Sequence, residues 1–460
     1  MRIIIFAIAS LSASCMNYKN VDNISEGIYK PQPLSNKCLV DDTEKYNVDG
    51  FIEMLDDSVL RTLVFMLKDK NSDIKSASIK VERYKLNMRS RGYNDFPLFS
   101  ASAHYGNSRV IKNGNGSQDS LGLSYSINYE SDLSGKRAID KNQAELNYKI
   151  SLEDNKYTYL QALEGFITAY WENARIKTEL DFLENERDNF KVKVRLIESK
   201  FQNGIVNAAD VYLAKQLLNN YEDKILNIKA SLSESIRLLS IYLNNPNFDN
   251  IYLEKATDTS KHLNLPKHLP LSVIECRPEI KIAEYQLESE LENLKLEYTR
   301  YYPNISLSYA LSLASSSFDS LLDSPARSFS TTLSLPFIEW YKIDTDIENA
   351  QLQVEEAKIK LRKTILNSLA EIYAAIESQK MAELEKTTKK NDLELSRKRL
   401  YITESRLNAG YTDMAALIDA KNDYAIAQKN FRNAEIEYYV KTLEAWIIIL
   451  GDHFLAEGYH

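Results

Sequence analysis

Glycine and proline are scarce, at 13 and 10 among 460 residues. Turns and linkers depend on those residues, so a chain this long with so few of them is built from long uninterrupted elements. Long apolar runs are missing too. Beyond the N-terminus no stretch of 18 apolar residues occurs, which argues against a transmembrane helix. Basic residues are not in excess: 57 Lys and Arg stand against 65 Asp and Glu, for a net charge of −8. No lysine-rich block stands out, so nucleic acid is a poor partner. There are three cysteines with no CxxC, and five scattered histidines (His104, His262, His268, His453 and His460). Neither pattern forms a metal site. No nucleophile motif or phosphate loop occurs, so no enzyme and no cofactor are assigned.

Tyrosine, by contrast, is abundant, with 29 copies. Its amphipathic ring suits a membrane interface, and it equally fills seams between helices. Met1 and Arg2 precede an apolar run from Ile3 to Leu11, followed by Ser12, Ala13, Ser14 and Cys15. A basic start, a short apolar core and small residues form a secretory signal over residues 1–14. Cys15 has the setting of a lipoprotein cleavage site carrying an acyl chain such as palmitate. Leu11 lies one place further from that cysteine than the usual pattern has it, which leaves ordinary cleavage as the alternative. Export permits a Cys38–Cys276 disulfide, and two separate thiols are the other reading.

The middle of the chain holds two related stretches, Glu198–Asn207 (ESKFQNGIVN) and Glu404–Asp413 (ESRLNAGYTD). Each joins two long helical patterns at a glycine, the signature of a helix hairpin tip. Gly410 follows Gly204 by 206 positions (410 − 204), and the offset recurs. Asn71 to Ile74 correspond to Arg277 to Ile280, Pro97 to Pro303, and Phe99, Ala101 and Ala103 to Ile305, Leu307 and Tyr309. The chain is therefore an internal duplication.

Helical spacing begins at Phe51 and runs to Leu67, and resumes from Asp73 to about Arg89. After Pro97 the period changes to two. Leu121, Leu123, Tyr125, Ile127 and Tyr129 alternate with small or polar residues in a second strand. The intervening loop, 107–120, holds Asn113, Gly114, Asn115 and Gly116. In the second half the loop 314–328 contains Pro325, and a strand follows from Phe329 to Leu335. The expected organisation is an arm at 15–50 and a first repeat at 51–245, with strands 97–131, long helix 136–203 and return helix 207–243. A linker at 246–270 follows. The second repeat covers 271–451, with strands 303–336, long helix 343–409 and return helix 412–450, before a tail at 452–460. Each long helix would be roughly 100 Å long, at ~1.5 Å per residue. A return helix stacked on the next repeat's short helix would match that length.

The strands alternate apolar with small polar residues, as outer-membrane strands do. Four strands cannot close a barrel, and an open edge is forbidden in lipid. Several copies would have to share one barrel, eight strands in a dimer or twelve in a trimer.

These features resemble the TolC-like outer-membrane factors, in particular their lipoprotein branch of efflux exit ducts. The resemblance rests on FIEMLDDSVL (Phe51–Leu60), YESDLSG (Tyr129–Gly135), LPKHLPLSVIECRPEIKIAE (Leu265–Glu284), Leu333–Pro336 and both tips. It implies a mainly α chain with a membrane β-barrel, formed as a homotrimer with twelve shared strands on a long helical tunnel. It also implies a Gram-negative outer-membrane location, with outer-membrane lipid, a periplasmic adaptor protein and an inner-membrane pump as partners. The implied function is the exit duct of a tripartite efflux system for small toxic compounds. The alternatives are a type I protein secretion duct or a pore-less envelope-spanning coiled coil. By position, the adaptor would meet the tips at Phe201, Gly204, Leu407 and Gly410. Asp419 matches an acid that rings the lumen, while the neighbouring family aspartate falls at Ala416. Asp210 matches a tip acid that holds the helices closed. The partners of that latch fall at Leu407 and Thr412, and Arg406 is the candidate substitute.

Overall fold

The computed structural model describes residues 57–109, 117–248, 277–323 and 325–450. Phe51–Asp56, Cys15, Cys38, Cys276 and most of the 246–270 linker lie outside the described residues. The chain divides into two units. Of the described residues, one gathers Lys85–Asn147 and Tyr285–Ile359, and the other gathers those from Asp57 to Tyr84, Tyr148–Glu284, and Lys360 onward.

The elements follow the duplication. Helix α1 covers Ser58–Lys70 and α2 Ser72–Gly92, and a 3-10 turn at Tyr93–Asp95 leads to β1, Leu98–Arg109. Strand β2 is Ser117–Ser131, α3 is Lys136–Gln202 and α4 is Ala208–Tyr242. The second half repeats the order with α5 at Pro278–Thr299, β3 at Asn304–Ser315 and β4 at Pro325–Ser334. It continues through a 3-10 turn at Pro336–Glu339 into α6, Trp340–Asn408, and α7, Met414–Leu450. Pro325 is not in a loop, as its sequence context suggests, but opens β4 opposite Leu313. It is tolerated there because the first residue of an edge strand need not donate to the ladder.

In the first unit the four strands form one antiparallel sheet in the order β1-β2-β3-β4. Phe99 pairs with Ile127, Ile127 with Tyr309, and Tyr309 with Phe329. Successive side chains alternate between faces. One face therefore carries Phe99, Tyr125, Ile127, Tyr309, Leu311 and Phe329, with Ala101 and Ala103 at the β1 edge. The opposite face is lined by serines. Ser100 and Ser126 are hydrogen-bonded at 2.7 Å, as are Ser102 and Ser124, and Ser308 donates to Asn128 at 2.7 Å.

The core of the second unit forms where α1, the middle of α3, and the ends of α4 and α7 meet. Leu60, Leu63, Val64 and Leu67 of α1 recur at helical spacing and are fully buried. They belong to one cluster with Leu163, Phe166, Ile167 and Trp171 of α3, Leu239 of α4, and Leu443 and Trp446 of α7. Asp57 caps α1, accepting from the backbone N–H of Val59 and Leu60, and Tyr170 donates its hydroxyl to Asp57 at 2.6 Å. Asn71, buried, accepts from the N–H groups of Asp73 and Ile74 and donates through Nδ2 to the carbonyl of Tyr242. One side chain thus starts α2 and closes α4. The return helix abuts its own repeat's short helix, not the next repeat's as the lengths alone suggested. Gly165 leaves room beside this joint, because a Cβ there would meet the Tyr242 hydroxyl and force that ring to shift.

Ion pairs fix which helices are neighbours. Lys215 of α4 meets Glu198 of α3 at 2.9 Å, and Lys229 meets Glu184 at 3.0 Å. On its other side α3 meets α7, through Glu179–Lys429 at 3.3 Å. Helix α7 in turn meets α6, through Asp423–Arg399 at 2.8 Å. The lateral order is α4-α3-α7-α6. Half-exposed pairs of this kind contribute about 0–1 kcal/mol each, so they specify neighbours more than they stabilise.

A polar network lies beside this core. Arg277, buried at the start of α5, donates to the Ser368 carbonyl at 3.1 Å and to Glu371 at 2.8 Å, and also pairs with Glu279. Burial raises the carboxyl pKa of Glu164 on α3, and repulsion from Glu444 and Glu371 raises it further, against the pull of Lys441 and Arg277. A carboxyl with a raised native pKa binds its proton more tightly when folded. Its contribution to stability therefore falls as pH rises from the ordinary carboxylate range through the raised value. Glu164→Gln is expected to raise the melting temperature at pH 8, with the gain shrinking as pH falls toward 5. Thermal melts across that range check it, and a pH-independent change would contradict the assignment.

Candidate functional site

Two features of the chain are built to meet other surfaces. The first is the sheet. Strands β1 and β4 are its two edges, and each has a partner on one side only. The apolar face is exposed in a single copy, with Phe99, Tyr105 and Phe329 all more than half accessible. At the ends of the strands where the helices attach, exposed aromatics gather from separate segments: Tyr93, Phe96, Phe337, Trp340 and Tyr341. Such a belt matches the way aromatic rings sit at a membrane–water interface.

The second feature is the pair of tips. Gly204 has φ +71° and Gly410 φ +74°, a left-handed conformation that L side chains rarely adopt. Both glycines end their helices in the same way. Gly204 N–H donates to the Phe201 carbonyl and Ile205 N–H to the Lys200 carbonyl, both at 2.9 Å. In the second tip Gly410 N–H donates to the Leu407 carbonyl and Tyr411 N–H to the Arg406 carbonyl, at 3.0 and 2.8 Å. This is the paired closure of a Schellman motif made twice. Helix α4 then restarts on a capping box, with Asn207 and Asp210 each bonding the other's backbone N–H. Helix α7 restarts on Asp413, which accepts from Ala416 N–H at 3.0 Å. The residue three places after the cap is Asp210 in one tip and Ala416 in the other, so only the first tip closes the box.

The expected site residues are distributed as follows. Asp210 is engaged in its cap. Arg406 projects from the end of α6, and among the described residues its side chain has no ion pair. Phe201 is exposed and Leu407 half-buried. Asp419 lies in the second turn of α7 and pairs with Lys193 of α3 at 2.7 Å. That pair joins the two central helices of the order α4-α3-α7-α6. Lys193 escapes a reading of the sequence, because its partner is 226 positions away and nothing local marks it. Ile205 and Tyr411 were also missed. They are equivalent positions after the two glycines, and both are strongly exposed, at 70% and 78%. Among the described residues no group of His, Cys, Asp and Glu could hold a metal ion, and no helix is long and apolar enough to cross a membrane.

Comparison with known proteins places this architecture. The family model described as outer membrane efflux protein matches residues 63–245 and 269–443. The toxin and drug export protein A of Aggregatibacter actinomycetemcomitans is 21% identical over 93% of this chain and 90% of its own length. The toluene efflux pump outer membrane protein TtgI of Pseudomonas putida is 21% identical, over 84% of this chain and 83% of its own. Among solved structures, the Campylobacter jejuni CmeC outer membrane channel superposes with a TM-score of 0.74 at 20% identity, covering 89% of each chain. The open-state MtrE outer membrane channel of Neisseria gonorrhoeae gives 0.72 at 16% identity, over 88% of this chain and 91% of that one. With most of both repeats matched by the family model, the chain belongs to the outer membrane efflux protein family.

Proposed function

We propose that three copies of this chain form the outer-membrane exit duct of a tripartite efflux system, carrying small toxic compounds from a periplasmic adaptor and an inner-membrane pump. The observation that carries this reading is the four-stranded sheet with two open edges, one apolar face and one hydroxyl-lined face. In lipid every backbone donor and acceptor needs a partner, so the edges of one copy must meet those of others. Two copies would give eight strands, a barrel whose interior side chains fill. Three give twelve, which leaves room for a passage lined by the serine face.

The helices support the same assembly. The outermost helices of the order α4-α3-α7-α6 carry exposed apolar stripes. On α6, Leu352, Ile359, Leu366 and Tyr373 recur every seven residues, and Leu395 and Ile402 hold the same interval. On α4, Tyr212, Leu213, Leu226 and Ile241 are exposed. A seven-residue apolar repeat is the seam of a coiled coil. Helix α6 of one copy against α4 of the next would cover Leu395 and Ile402 near the tips, and beyond the 35 residues of α4 the stripe from Leu352 to Tyr373 would lie along α2, where Ile79 and Leu86 are exposed. The relatives' names speak of toxin, drug and toluene export, which favours small toxic cargo here too.

Asp419 is assigned to the periplasmic constriction, with Lys193 holding its carboxylate. Three such carboxylates facing a common lumen would attract cations. Channels of Asp419→Ala in planar bilayers are expected to conduct more and to lose cation preference, while Lys193→Ala strengthens that preference. Unchanged conductance and selectivity in both would remove Asp419 from the constriction. The tips, with Phe201, Gly204, Leu407 and Gly410, are assigned to adaptor contact, and Ile205 and Tyr411 add exposed apolar surface there. Gly410→Trp that still assembles should abolish efflux in whole cells, and normal efflux would place the adaptor elsewhere.

A further inference from the structure

The two open edges of the sheet are not level. Pro325, at the start of β4, lies in the row of Leu313, Leu123 and Ala103. Strand β1 continues beyond that row to Arg109. At the other end Leu333 lies in the row of Ile305 and Ser131, past Asn128, the partner of Leu98. The β1 edge is thus displaced along the strand direction from the β4 edge. Such a stagger is what barrel closure requires.

The lengths of the edges limit how one copy can join the next. All ten residues of β4 find partners on the twelve of β1 in three registers only, with Ser334 opposite Leu98, Phe99 or Ser100. The middle register would turn Phe329 onto the serine face, because a one-residue slip inverts every side chain. Two registers remain, and charge separates them. Arg327 stands exposed on the apolar face of β4 and, among the described residues, has no hydrogen bond or ion pair. Asp119 of β2, on the same face, accepts from Asn107 at 2.6 Å and from Tyr105 at 3.3 Å, and among the described residues it pairs with no cation. With Ser334 opposite Ser100, Arg327 falls opposite Asn107, in the row of Asp119. Two strand spacings are about 10 Å, a gap that an extended guanidinium and a carboxylate can close between them. Phe329 then stands opposite Tyr105, an aromatic cross-strand pair, and Leu333 opposite Ala101. The other register leaves Arg327 opposite Tyr105, two rows short of Asp119. A shallow depression of about 400 Å³ bordered by Ala101 and Ala103 is covered in either case, by Leu333 or by Phe329, and does not distinguish them.

We infer that a second copy of this chain pairs its β4 with β1 in the Ser334–Ser100 register, locked by Arg327 of one copy and Asp119 of the next. The inference rests on the shared-barrel reading above and specifies its seam. Two double-cysteine variants of the full-length protein in detergent, oxidised mildly, test it, with each single variant as the control for the native cysteines. Tyr105→Cys with Phe329→Cys should give covalent trimers on a non-reducing denaturing gel, and Ala103→Cys with Phe329→Cys should not. In the otherwise native chain, Arg327→Asp or Asp119→Arg alone should lose assembled trimer, and the two together should restore it. Cross-linking of the Ala103 pair instead, or a double charge reversal no better than the singles, would overturn the register while leaving a shared barrel standing. A wild-type protein that is monomeric by native mass measurement would overturn the shared barrel and the seam together.

Discussion

An unpaired strand edge cannot lie in lipid, and this sheet has two. Everything else in the chain is consistent with meeting that constraint. The four strands, of 12, 15, 12 and 10 residues, are long enough to cross the hydrocarbon layer. Their alternation gives one apolar face and one of hydroxyls. The backbone groups of β1 and β4 then require further strands of the same length, which in the proposed trimer come from copies of the chain. Closing at twelve strands rather than eight is what turns a packed barrel into a passage.

The helical part faces the same incompleteness in a different currency. Its core holds α3 centrally, buried by α1 and by the ends of α4 and α7. The flanking helices α4 and α6 remain half covered, with Tyr373 and Ile241 each about 70% exposed. Exposed apolar stripes at a seven-residue interval on an outermost helix are costly in water and useful only when another helix covers them. Inter-helix ion pairs order α4, α3, α7 and α6 within a copy. The same type of contact places Lys193 on Asp419 near the tips, so the acid that the family resemblance implied as a lumen charge is already held by a base within its own chain.

Much of this architecture was legible in the sequence, for physical reasons. The scarcity of glycine made Gly204 and Gly410 stand out, and a glycine ending a long helical period has few conformations available other than the one observed. Period-two alternation marked all four strands. The offset of 206 linked the halves, down to Asn71 and Arg277, both buried where their short helices begin. Contacts between distant segments were not legible. The joint of Asn71 with Tyr242, the room that Gly165 leaves for the Tyr242 hydroxyl, and the Lys193–Asp419 pair each join residues with no shared local pattern. Pro325 misled because proline reads as a loop residue unless the strand is known to be an edge. Asp210 reads as a latch by resemblance, and only the reciprocal bonds with Asn207 reveal that it caps α4.

The central claim is that one chain is an incomplete third of a closed wall. Native mass measurement of the full-length protein extracted in mild detergent counts the chains directly. Three chains per particle, with no stable monomer or dimer, is the expected result. A particle of one or two chains that still forms a channel would contradict the account, because its strands could not close around an open passage.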